Sequence, residues 1–275
     1  MNYSGGMRRT IGLLSIALLA VATPIDRSAR ATSLSGDVNV FAAASLTEAF
    51  EAIAVEFQDT YPELDVELNF AASSELVAAI VDDGAPADVF ASADETNMQR
   101  LVDAGRTDGD PATFATNSLE IIVERGNPLA ITTIDDLAAP DVIFVTCDPA
   151  VPIGAYTEQV LDAAGVDLTP ASLEENVRGI VTKVTAGEAD AGIVYITDIV
   201  AAGEAAEGVA IPEDVNVVAE YPISTVTEAG NREGAGAFVE FVLGEDGQRI
   251  LAEFAFGPAG AASGAVMTSS PTTVG

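Results

Sequence analysis

Val38-Asn39-Val40-Phe41-Ala42-Ala43-Ala44-Ser45-Leu46-Thr47-Glu48 decides how the chain is read. Val38, Val40 and Phe41 predict a short buried strand, after which the residues turn small. Ser45 stands where a helix should begin. Ser45-Leu46-Thr47-Glu48 fits a capping box, in which the serine oxygen takes a free helix N–H and the glutamate reaches back. A strand that ends in small residues and passes into a helix N-terminus suits an anion. First-turn N–H groups lack intrahelical partners, and the helix dipole is positive there. On this stretch alone Ser45 reads first as a cap and second as an anion ligand.

The pattern then repeats. Residues 64–70 alternate apolar and polar, as a strand does, and Ala71-Ala72-Ser73-Ser74 leads into a helix over 75–83. Val89-Phe90-Ala91 is a third strand, and Ser92-Ala93-Asp94-Glu95 looks like another capping box. Ala49, Phe50, Ile53, Ala54 and Phe57 form an apolar stripe at helical spacing between the first two strands. Such alternation predicts an α/β layer with a mostly parallel sheet, whose ligands bind beyond the carboxyl ends of strands. Ser45 and Ser73 then fall at one mouth, which strengthens the anion reading of both.

A second unit begins near Asn117. It contains strands over 119–124, 142–145 and 191–195, a turn over 147–154 into a helix, and a segment capped by Ser172-Leu173-Glu174-Glu175. Residues 221–226 return as a strand, and 235–256 form an amphipathic helical region. The expected division is 37–116 plus 221–260 as one lobe and 117–220 as the other. Residues 1–31 read as an export signal: Arg8 and Arg9 precede an apolar run over 11–22 that is short for a bilayer span. An uncleaved anchor helix is the alternative. No cysteine lies near either candidate cleavage site, Ala20-Val21-Ala22 or Ala29-Arg30-Ala31, so no lipid anchor is expected. Residues 261–275 read as a flexible tail.

Composition narrows the chemistry. With 11 basic and 43 acidic residues, a net charge of −32, the surface repels nucleic acid and anionic headgroups. The chain has no His, one Lys (Lys183) and one Cys (Cys147). Histidine-based triads, Cys–His pairs, internal disulfides, histidine metal ligands and cysteine metal clusters are therefore absent. Cys147 reads as a small buried hydrophobe. The carboxylate pairs Asp82-Asp83, Asp135-Asp136 and Glu174-Glu175 read as solvated starts and loops.

Taken in order, Val-Phe-Ala-Ala-Ala-Ser-Leu-Thr at 40–47, Phe-Ala-Ala-Ser-Ser-Glu-Leu at 70–76 and Gly-Ala-Pro-Ala-Asp-Val-Phe-Ala-Ser-Ala-Asp at 84–94 form a set with four later phrases. These are Asn-Ser-Leu at 117–119, Asp-Pro-Ala-Val-Pro-Ile-Gly-Ala-Tyr at 148–156, Asn-Val-Arg-Gly at 176–179 and Gly-Ile-Val-Tyr at 192–195. The set resembles the periplasmic molybdate-binding proteins of ABC transporters, within the bilobal solute-binding superfamily. The resemblance implies a two-lobed periplasmic-binding-protein-like fold that holds molybdate or tungstate in the interlobe cleft. It implies no enzymatic activity and no cofactor. Its partner would be a membrane ABC permease, and the chain would act as an exported monomer. Carried over residue by residue, it assigns hydroxyl contacts to Ser45, Ser73 and Tyr195, and backbone N–H contacts to Ile153 and Val177. Two departures stand out: Asn176 replaces an Asp, and the turn before Val151 is one residue shorter, with Cys147 where glycine is frequent. Competing readings are another ligand on the same fold, such as sulfate or a small organic acid, an enzyme on a bilobal scaffold, and an exported interaction protein.

Overall fold

The structure is a computed structural model that describes residue 1 and residues 34–260. The expected export signal and flexible tail lie outside the described residues, Met1 apart. The chain opens with β1 (Gly36–Ala43), a 3-10 turn (Ala44–Leu46), α1 (Thr47–Thr60), β2 (Leu64–Ala71), α2 (Ser73–Val81), β3 (Val89–Ala91) and α3 (Glu95–Asp103). The long β4 (Ala112–Glu124) follows, then β5 (Phe144–Cys147), α4 (Pro152–Ala164), β6 (Ser172–Glu174), α5 (Val177–Thr185), β7 (Ala191–Tyr195), α6 (Ile196–Ala202) and β8 (Ala206–Ala210). It closes with β9 (Val218–Thr225), α7 (Arg232–Leu243), α8 (Glu245–Glu253) and β10 (Gly257–Pro258).

The strands run in the order β2-β1-β3-β9-β4-β7-β5-β6, with β8 and β10 also on β4. Pairing is parallel at both outer ends, among β2, β1 and β3 and among β7, β5 and β6. The two crossing strands, β4 and β9, add antiparallel pairs between them. β4 changes neighbours midway: Ala112–Ser118 pairs with β9, and Leu119–Glu124 pairs with β7 and β8. The expected crossing points, Asn117 and Tyr221, lie inside these two strands. β4 begins seven residues before the strand expected at 119, because its first half has β9 to pair with.

Period-2 and period-3.6 burial explain the layers. Val38, Val40 and Ala42 of β1 are fully buried, as are Phe50, Ile53 and Phe57 of α1. Phe57 meets Phe238 of α7 edge-on at 5.2 Å, and Phe50 meets the same ring at 6.0 Å. Each such ring contributes about 1.5–3 kcal/mol by leaving water. Cys147 is buried, and burial pushes its thiol up to about 12, so it stays a neutral thiol. Among the described residues no helix is long and apolar enough to cross a membrane.

Three expected helix starts differ from the structure. Ser45 does not cap α1; it sits inside the 3-10 turn, and Glu48 pairs with Arg178 at 2.5 Å instead of reaching back. Asp94, not Ser92, caps α3, accepting the Asn97 N–H at 3.0 Å. Ser172 lies in β6, and Asn176 caps α5 through the Arg178 N–H at 3.0 Å. In each case the serine's short reach is taken by a different partner. The C-terminal helical region is broken at Gly244 into α7 and α8.

Candidate functional site

Five backbone starts converge on one place. The 3-10 turn after β1 brings Ser45, the first residue of α2 is Ser73, and the first turn of α4 brings Pro152 and Ile153. Val177 opens α5, and Tyr195 ends β7 as the residue before α6. All five residues named from the sequence line a single pocket of about 220 Å³, part of it open to solvent. Ala43, Ala44, Ala72, Ala93, Val151, Pro152 and Asn176 complete the wall. Among the described residues, none that lines this pocket is charged. Its polarity comes from hydroxyls and first-turn N–H groups, which have no partner within their own helices.

The hydroxyls are held in different ways. Ser73 is buried, and its oxygen accepts the Ala93 N–H at 3.0 Å. An N–H can only donate, so the Ser73 proton is left for another acceptor. Ser45 is buried too, with its oxygen 3.0 Å from the Tyr221 hydroxyl. Burial drives the Tyr221 hydroxyl well above its usual range, so Tyr221 keeps its proton. Tyr195 is 1% exposed, and its hydroxyl has no hydrogen-bond partner among the described residues. Burial also raises the Tyr195 hydroxyl well above its usual range, so it is a neutral donor. A buried unpartnered hydroxyl is costly, and its placement on a pocket wall points to an acceptor supplied from outside.

Supporting contacts fix the frame. The Tyr195 N–H donates to the Asp198 carboxylate at 3.1 Å. Burial raises Asp198 to about 7, against the lowering effects of that N–H and of Arg178. Gly154 follows Ile153, and a Cβ there would stand 2.2 Å from the Asp148 carbonyl oxygen. Only glycine lets the helix start approach the preceding turn so closely. Two contacts join segments far apart in sequence: Arg178 to Glu48, and the Tyr156 hydroxyl donating to the Ala93 carbonyl at 3.3 Å.

Tyr221, Tyr156 and Ala93 were not legible as site residues. Tyr221 reaches Ser45 across 176 positions, and no local pattern announces that. The small residues that follow each strand were the one available signal for Ala93, since small side chains leave backbone N–H groups accessible.

The fold is the two-lobed α/β fold of the periplasmic binding proteins. The family model described as bacterial extracellular solute-binding protein matches residues 38–257. The chain is 38% identical over 251 residues to the molybdate-binding protein ModA of Mycobacterium tuberculosis, covering 89% of this chain and 96% of that one. Among solved structures it resembles the periplasmic molybdate-binding protein of Azotobacter vinelandii (TM-score 0.69, 21% identity, 80% of this chain and 98% of that one). It also resembles the sulfate-binding protein SubI of M. tuberculosis (TM-score 0.73, 21% identity, 82% and 88%). The chain belongs to the bacterial extracellular solute-binding proteins, a family of transport proteins rather than enzymes.

Proposed function

We propose that this chain captures molybdate, or its near-isostere tungstate, outside the cytoplasm and delivers it to a membrane ABC permease. Ser45, Ser73 and Tyr195 donate hydroxyl protons to the oxyanion, and Ile153 and Val177 donate backbone N–H groups. The observation that carries this reading is the buried Tyr195 hydroxyl, unpartnered on the wall of an uncharged pocket. A tetrahedral dianion supplies the acceptor that Tyr195 lacks and replaces its own lost water with neutral donors. Charge-assisted hydrogen bonds contribute about 1.5–3 kcal/mol each, so five support sub-micromolar affinity after ordering costs.

Donors without an acceptor also select. An oxyanion that still carries a proton would bury that O–H unpaired, at a cost of about 1–3 kcal/mol. Residues 37–116 with 221–260 form the lobe that carries Ser45 and Ser73, and 117–220 form the lobe that carries the other three. The ligand bridges the lobes and favours closure about β4 and β9 near Asn117 and Tyr221. The permease then reads closed from open, and the chain works as a monomer.

Thermal melts and calorimetry with molybdate, tungstate and sulfate test this. Molybdate at about 1,000 times Kd should stabilise the fold by about 4 kcal/mol. No shift at millimolar molybdate and tungstate refutes the reading, and a tighter response to sulfate moves it to the sulfate alternative.

A further inference from the structure

Ser45 and Ser73 face the same pocket, yet only Ser73 has its direction set by the backbone. The Ala93 N–H at 3.0 Å can only donate, so Ser73 must accept from it and can turn its own proton to the pocket. Between Ser45 and Tyr221 a single proton lies in the 3.0 Å gap, and either oxygen can supply it. If Ser45 donated to Tyr221, it would show the pocket only lone pairs. If Tyr221 donates, the Ser45 proton is free for an anion. The Tyr221 ring has little room to turn, being packed edge-on against Phe114 at 6.2 Å, Tyr195 at 5.8 Å and Phe256 at 5.4 Å. It is fully buried, so its proton needs an acceptor within the protein, and the Ser45 oxygen at 3.0 Å supplies one.

We infer that Tyr221 is a specificity-determining positioning residue: by donating to Ser45 it makes that serine a donor, and so excludes oxyanions that still carry a proton. It does not touch the ligand. This inference rests on the proposed oxyanion site and adds to it a residue on the crossing strand β9. Without the Tyr221 hydroxyl, Ser45 can rotate and present an acceptor to the pocket. The site then tolerates a protonated tetrahedral anion.

The test is a calorimetric double-mutant cycle on the full chain: wild type, Tyr221→Phe, Ser45→Ala and the double variant, each titrated with molybdate and with hydrogen phosphate near neutral pH. Tyr221→Phe keeps the ring and its packing, and a thermal melt checks the fold. Molybdate should weaken about tenfold in Tyr221→Phe. The preference for molybdate over hydrogen phosphate should narrow in that variant. Ser45→Ala should weaken molybdate while keeping that preference, because no hydroxyl is left to rotate. In the Ser45→Ala background, Tyr221→Phe should cost less than twofold. An equal cost in both backgrounds, or an unchanged preference in Tyr221→Phe, overturns the inference. As a second measurement, site-specific 3-fluorotyrosine at 221, a stronger donor, should tighten molybdate, and a weakening counts against it. Wild type that binds neither molybdate nor tungstate overturns the oxyanion site itself, a result separate from any difference between variants.

Discussion

The two walls of the pocket are prepared differently. On one, Ser45 and Ser73 already have partners, the Tyr221 hydroxyl and the Ala93 N–H. On the other, the Tyr195 hydroxyl has none, and Ile153 and Val177 offer backbone at helix starts. A satisfied hydroxyl costs nothing to keep and is already aimed. An unsatisfied one lowers the stability of the free chain and recovers that loss when an acceptor arrives. The first wall is therefore preorganised, and the second holds the strongest reason to bind.

The largest effect expected on this contrast lies beneath Tyr195. Asp198 is buried and raised from 3.8 to about 7. Below pH about 4 it is protonated in folded and unfolded chains alike. Between about 4 and 7 the unfolded chain ionises while folded Asp198 keeps its proton, so stability falls as pH rises, then levels above about 7. At about 1.4 kcal/mol per pKa unit, the fall amounts to several kcal/mol. Asp198→Asn should flatten that slope in melts recorded from pH 4 to 8; an identical slope would detach Asp198 from the second wall's energetics.

Next comes Tyr195→Phe. Removing the unpartnered hydroxyl should leave the free chain as stable or about 1 kcal/mol more so, while oxyanion affinity falls about 10- to 100-fold. A loss of both would make the two walls alike. Ser73→Ala should do what Tyr195→Phe does not, lowering unliganded stability by about 1 kcal/mol together with affinity, since the Ala93 N–H loses its acceptor. Melts and titrations of the pair give the contrast directly. The smallest change is Glu48→Gln. Its pairing with Arg178 links segments 130 positions apart, but both side chains are a third or more exposed. The cost should be under about 1 kcal/mol and should vanish in high salt.

Much of this arrangement was legible from one strand–small–serine pattern repeated twice. The pattern placed Ser45 and Ser73 at neighbouring mouths because strand ends and helix starts are local features. The capping reading fails at Ser45 because Glu48 is drawn to a partner far along the chain, and at Ser92 and Ser172 because each hydroxyl bonds the carboxylate two residues on, leaving the cap to Asp94 and Asn176. Glu48 turns to Arg178, and Ser172 hydrogen-bonds Glu174 at 2.6 Å inside a strand. The role of Tyr221 is hidden because Ser45 lies 176 positions away from it. Gly244 broke the last helix where the apolar spacing ran on without interruption, so periodicity alone could not find the break.

Where β4 leaves β9 for β7, Asn216 takes over as a rung. Its side-chain oxygen accepts the Leu119 N–H at 3.3 Å, and its amide donates to the Leu119 carbonyl at 3.0 Å. The Val217 N–H also donates to that side-chain oxygen, at 2.8 Å, so the rung is held in place and the Leu119 peptide keeps both its hydrogen bonds where the strand changes neighbours.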